Sequence, residues 1–152
     1  MTGQRQRETA AAGTVRGSTG YDMTSGEIAR ARAFVRRFLD VAQSRHGLTV
    51  SARAVEIAQL IVSELATNVC RYAPGPCLLD LESDGALLDI IMWDSGPVLP
   101  AASPADPTRV GQHGLELVLM VCTSFAVHRE PVGKRIHIQI PLGDDSLVQP
   151  AW

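Results

Sequence analysis

Glu64, Asn68 and Arg71 sit four and then three residues apart in a segment whose apolar residues recur at helical spacing. At about 100° per residue, Val55, Ala58, Ile61, Val62, Leu65, Ala66 and Val69 make one broad apolar face. Glu56, Gln59, Ser63 and Thr67 fall on the opposite side, where solvent belongs. Glu64, Asn68 and Arg71 belong to neither group. They share an arc of roughly 60° beside the apolar face, in line with Ile57 and Leu60. A carboxylate, an amide and a guanidinium on such a flank point to a polar cleft at the edge of a core. A boundary ion pair between Glu64 and Arg71 accounts for the helix alone equally well.

Two further groups carry chemistry. Asp94-Ser95-Gly96 ends an apolar strand-like run, where a carboxylate can accept from a ligand amine and a glycine admits close backbone approach. Gly111-Gln112-His113-Gly114-Leu115 precedes a helical pattern, and glycines there bare backbone N–H groups to an anion at the positive end of the helix. Singly, the first reads as an ordinary turn and the second as a plain helix start. Cys70, Cys77 and Cys122 form no C-x-x-C pair, and His46, His113, His128 and His137 are scattered. Free thiols in a reducing cytoplasm and no structural metal are the expectation.

The elements that must hold these residues can be read along the chain. Thr24 and Glu27 have capping-box spacing, opening a helix to about Arg45 with Ile28, Ala31, Val35, Phe38, Leu39 and Ala42 inward. Arg30, Arg32, Arg36 and Arg37 lie largely off that stripe, and His46-Gly47 supplies the stop. A second helix spans about Ser51 to Tyr72, before Ala73-Pro74-Gly75-Pro76. Strands at Cys77 to Glu82 and Ala86 to Trp93 meet at Asp84-Gly85, a hairpin signal. The loop from Ser95 to Val110 is long enough to act as a lid, and a third helix covers about Leu115 to Thr123. Phe125 to Arg129 and Arg135 to Ile140 make a last hairpin around Pro131 to Lys134. The order predicts an α+β two-layer sandwich, a mainly antiparallel sheet with helices on one face. Residues 1–22 read as a flexible arm, 23–142 as one domain and 143–152 as a tail.

With 152 residues, 45% hydrophobic and 20% charged, the composition is that of one globular domain. No apolar run reaches the roughly 20 residues of a membrane helix, and the start of the chain has no secretory h-region. A net charge of -2 gives no electrostatic reason to expect direct nucleic-acid contact.

In order and spacing, Glu64-Leu-Ala-Thr-Asn68-Val-Cys-Arg71, Asp94-Ser-Gly96 and Gly111-Gln-His-Gly114-Leu115 resemble the three motif boxes of the Bergerat-fold ATPases. That superfamily includes gyrase, MutL and histidine kinases. Val62-Ser63-Glu64-Leu65, Asp94-Ser95-Gly96-Pro97 and the stretch from Gly133-Lys134 to Pro141-Leu142 look closest to its anti-sigma-factor serine kinase branch, a group of bacterial regulators. The resemblance implies an ATP-binding serine/threonine kinase that acts as an anti-sigma factor, using Mg²⁺ with ATP or ADP. Its implied partners are a sigma factor and an anti-anti-sigma protein of the STAS type; a homodimer is left open. Asn68 would coordinate Mg²⁺, Glu64 would be the general base, and Asp94 would accept the adenine amino group beside Gly96. Gly111, His113, Gly114 and Leu115 would line the phosphates, with Arg71 as a further contact. Three positions depart from the pattern: Val98 replaces a glycine, Tyr72 a histidine, and Arg135 a small hydroxyl residue near the adenine-binding Asp. A nucleotide-dependent binding module without kinase activity is the alternative reading. A histidine-kinase catalytic fragment ranks behind it, since His46 has no acidic residue following it.

Overall fold

Alternation of buried and half-buried residues governs the strands. In β3 (Leu87–Asp94) the even positions Leu88, Ile90, Met92 and Asp94 are buried, and the odd ones are half-buried. β5 (Lys134–Pro141) repeats the pattern with Lys134, Ile136, Ile138 and Ile140. The computed structural model describes residues 14–22, 24–96 and 118–143. Within them, β1 (Val15–Tyr21), β2 (Cys77–Ser83), β3, β5 and β4 (Ser124–Arg129) form one sheet in the order β1-β2-β3-β5-β4, antiparallel throughout. Helices α1 (Glu27–His46) and α2 (Ala52–Tyr72) pack against each other on one face, α1 over β1 and β2, α2 over β3 and β5. This is the expected α+β two-layer arrangement.

The inward stripe of α1 is the expected one: Ala31, Val35, Phe38, Leu39 and Ala42 are buried, and Ile28 packs at the margin. All four arginines named above are exposed on α1. Gly47 ends the helix at φ 69°, and the N–H of Leu48 returns to the Ala42 carbonyl at 3.1 Å. The capping box does not form. Gly26 is the N-cap without a side-chain bond; Glu27 N–H donates to the Thr24 main-chain carbonyl, and the Glu27 carboxylate accepts from Asp22 N–H. Ser51 does cap α2, its Oγ accepting from Ala54 N–H at 2.9 Å. Ala54 and Ile57 widen the buried face of α2 beyond the predicted stripe, because this helix meets both the sheet and α1. For the same reason only Glu56 of the predicted solvent side is exposed, while Gln59, Ser63 and Thr67 are half-buried. Ile61 and Leu65 are almost wholly buried, each stabilising the fold by ~1.5–3 kcal/mol.

Residues 1–22 do not all behave as an arm. Val15–Tyr21 pairs along its whole length with β2, with Val15 and Tyr21 buried. Between those two residues the strand holds Arg, Ser, Thr and two glycines, so its own β-propensity is low; the ladder to β2 and the underside of α1 fix it. Gly17 is where Phe38 lies closest: a Cβ there would stand 3.1 Å from the ring. The Asp84-Gly85 turn is as expected, with Gly85 at φ 101° and Asp84 Oδ1 accepting from Ala86 and Leu87 N–H. The last hairpin differs in its bounds. β5 begins at Lys134, so the turn is one residue shorter than predicted and Lys134 belongs to the ladder, opposite Asp94. Residues 118–121 are helical, and Cys122 N–H closes on the Val118 carbonyl. All three cysteines are free thiols. No helix among the described residues is long and apolar enough to cross a membrane.

Candidate functional site

The last turns of α2 carry Glu64, Asn68 and Arg71. Glu64 and Asn68 are half-buried and Arg71 is exposed. Glu64 Oε1 is buried and, among the described residues, has no hydrogen-bond partner. Burial raises the Glu64 carboxyl above its ordinary value, and the positive charge of Arg71 only partly offsets that. No ion pair joins Glu64 to Arg71, so the boundary-pair account of this helix face does not hold. Among the described residues nothing bonds to the Asn68 amide either. Among the described residues, two polar side chains one turn apart are thus left without partners on the flank of a packed helix. An orphaned buried polar oxygen costs on the order of 1–3 kcal/mol, which a ligand can recover.

The strand alternation of β3 carries Asp94 to the same face as Leu88, Ile90 and Met92, at the edge of the core. Its Oδ1 accepts from Gly96 N–H at 2.9 Å. Gly96 lies directly against the residue that follows α2: a Cβ on it would stand 2.2 Å from the Ala73 Cβ. Ser95 Oγ donates to the Pro76 carbonyl. The C-terminal end of α2 and the Asp94 turn are therefore one packed unit. Glu64 lies roughly 13 Å up the helix axis from Ala73 at ~1.5 Å per residue.

Sequence reasoning missed the neighbour of Asp94. Lys134 Nζ meets Asp94 Oδ2 at 2.6 Å, with the two side chains only 6% and 0% exposed. The contact is ionic and lacks the alignment of a hydrogen bond. Arg135, expected near Asp94, is on the other face of the sheet. It lies 5.3 Å over the Trp93 ring and donates from Nε to Glu130 Oε2. The signal was present in the alternation: counting back by twos from Ile140, Ile138 and Ile136 reaches Lys134, and Asp94 is its cross-strand partner. Gly133, at φ 80°, turns the chain so close that a Cβ would stand 1.8 Å from the Asp94 carbonyl oxygen. Cys77, also opposite Asp94, has its thiol pushed up to about 11 by burial first and by the Asp94 charge second, so it stays protonated at neutral pH.

Gly111, His113, Gly114 and Leu115, and with them Val98 and the loop to Val110 from residue 97 onward, lie outside the described residues. Among the described residues no cluster of His, Cys, Asp and Glu has the makings of a metal centre.

Comparison with known proteins agrees with the fold. Residues 24–140 match the family model for the histidine kinase-like ATPase domain. Among solved structures the chain is similar to the histidine kinase domain from Erythrobacter litoralis EL346 blue-light activated histidine kinase, at 17% identity and a TM-score of 0.50. That match covers 79% of this chain and 65% of the other, so the chain spans less than two thirds of that structure, and the likeness is one of fold. No curated protein matches the chain.

Proposed function

Since the chain belongs to the histidine kinase-like ATPase domain family, we propose that it binds ATP between α2 and the Asp94 turn and phosphorylates a protein serine. The observation that carries this reading is the buried, unpartnered Glu64 oxygen on the flank of α2. Asp94 would accept the 6-amino group of adenine, with Gly96 leaving room for the ring. Gly111, His113, Gly114 and Leu115 would line the phosphates, and Arg71 would add a cation from the exposed end of the helix. Asn68 offers Mg²⁺ the hard oxygen ligand it prefers, and its amide has no partner among the described residues, so the donor chemistry fits. Bound there, the ion would supply neutralisation of phosphate charge. Glu64 would take the proton of the incoming serine hydroxyl as its oxygen attacks the γ-phosphorus and ADP departs. Burial suits that role, because a raised carboxyl is a stronger base.

The resemblance to anti-sigma-factor serine kinases supports the finer reading. In it, the protein is a bacterial, cytoplasmic regulator that sequesters a sigma factor and inactivates a STAS-type anti-anti-sigma partner by phosphorylation. Transfer of labelled γ-phosphate to such a partner tests it. Glu64→Ala should keep Mg-ATP binding and lose transfer by roughly 10²–10⁴-fold. Asn68→Ala should lose Mg²⁺-dependent binding and transfer together. Wild-type protein that binds ATP and a sigma factor but labels no serine would be a nucleotide-dependent binding module instead.

A further inference from the structure

A lysine is almost never buried unless it is paired. Lys134 is paired, yet the pairing leaves both partners with unused capacity. An ammonium has three N–H donors, and among the described residues Asp94 is the only group that meets this one. Asp94 gives Oδ1 to Gly96 N–H, while Oδ2 touches Lys134 without an aligned hydrogen bond. Oδ2 therefore still has lone pairs to accept with. Where β3 and β5 meet, the chain sets a charged acceptor beside a charged donor, both fixed by the ladder and by the tight approach of Gly133.

We propose that Lys134 is a second base-reading residue, donating to ring nitrogen N1 of a 6-aminopurine while Asp94 accepts from its amino group. The inference rests on the nucleotide reading above and adds to it a specificity determinant. A ligand that separated Asp94 from Lys134 would strand a buried charge, which is strongly unfavourable. One whose edge carries a donor next to an acceptor, in the order of adenine, satisfies both groups without parting them. With Asp94 at the 6-position, guanine presents the reverse order: its carbonyl faces the carboxylate and its N1–H faces the ammonium. Both contacts are then repulsive, and GTP is rejected.

Calorimetry with ATP, GTP, 1-deaza-ATP (which carries C–H in place of N1) and inorganic pyrophosphate tests this directly. Wild-type protein should bind 1-deaza-ATP roughly 10- to 100-fold more weakly than ATP, the loss of one hydrogen bond to a charged donor. Lys134→Met should bind the two equally, and pyrophosphate as the wild type does. The wild-type comparison needs no substitution, so it stands even if the variant, with Asp94 left unpaired, fails to fold. Equal wild-type affinity for ATP and 1-deaza-ATP would overturn the role of Lys134 while leaving the ATP site in place. Tighter ATP binding by Lys134→Thr than by wild type would overturn it as well, making the lysine a plug. GTP binding tighter than ATP would reverse the assigned base. Failure of ATP to bind wild type or variant at all would overturn this proposal and the nucleotide reading together.

Discussion

Burial raises the Glu64 carboxyl, and the raised value has a consequence for stability as well as for chemistry. A carboxyl whose folded-state pKa lies above the unfolded one favours folding fully at pH below the unfolded value, and that contribution is lost as pH rises through the folded one. Where Glu64 is ionised, its buried charge is therefore a liability of the ligand-free protein. Glu64→Gln should raise the melting temperature at pH 7, with the advantage shrinking as pH falls toward the ordinary carboxylate range. Thermal scans at a series of pH values check this; a variant less stable than wild type at pH 7 would mean that the anion has a partner. Phosphate transfer should rise with pH across the same raised ionisation, because the base must be unprotonated. The residue scale was also where the sequence spoke most plainly. Glu64 and Asn68 stood out because they belong to neither the apolar face nor the solvent side of their helix, and Asp94 because it is a carboxylate ending an apolar strand. Lys134 did not stand out, because a Gly-Lys pair reads as turn until the register of β5 is known.

Elements set the precision of the site. Asp94 and Lys134 are opposed only because β3 and β5 pair in this register, and Gly133 holds the entry to β5 against the Asp94 carbonyl. The obstacle to a side chain at Gly133 is backbone, which cannot swing aside, and its φ of 80° is itself unfavourable for other residues by ~1–2 kcal/mol. Gly133→Ala should lower stability by more than that figure and weaken ATP more than pyrophosphate, since the base end is what shifts. Denaturant melts with paired titrations separate the two effects. Ser51→Ala removes the cap of the helix that bears Glu64 and should cost about 1 kcal/mol. The two long helices, both hairpins and the α+β class were legible from periodicity and turn residues. The first strand was not, because Val15–Tyr21 owes its conformation to β2 and α1 and little to its own side chains. The failed capping box has a similar cause: Thr24 contributes its main-chain carbonyl to the turn, and Glu27 turns back to Asp22 N–H.

For the molecule as a whole, the first strand matters because it covers the outer edge of β2. Deletion of residues 1–21 would bare that edge and uncover part of α1, including the side of Phe38 that lies on Gly17. The truncated protein should melt at lower temperature and self-associate, as light scattering would report. The packed unit of α2 end and Asp94 turn lies on the opposite side of β2 from that edge strand, so the two perturbations should be separable. In the proposed function this unit binds an adenine nucleotide, with the base at Asp94 and the phosphates toward Glu64 and Asn68. Titration calorimetry with Mg-ADP on wild type and Asp94→Asn tests it most directly. Wild type should bind saturably, and its melting temperature should rise with ligand concentration. Asp94→Asn should lose affinity for ADP and keep its affinity for pyrophosphate, because the substitution disturbs the base contact and the Lys134 pair beside it and leaves the phosphate end unchanged. No binding to wild type at millimolar Mg-ADP, or an equal loss for ADP and pyrophosphate in the variant, would contradict it.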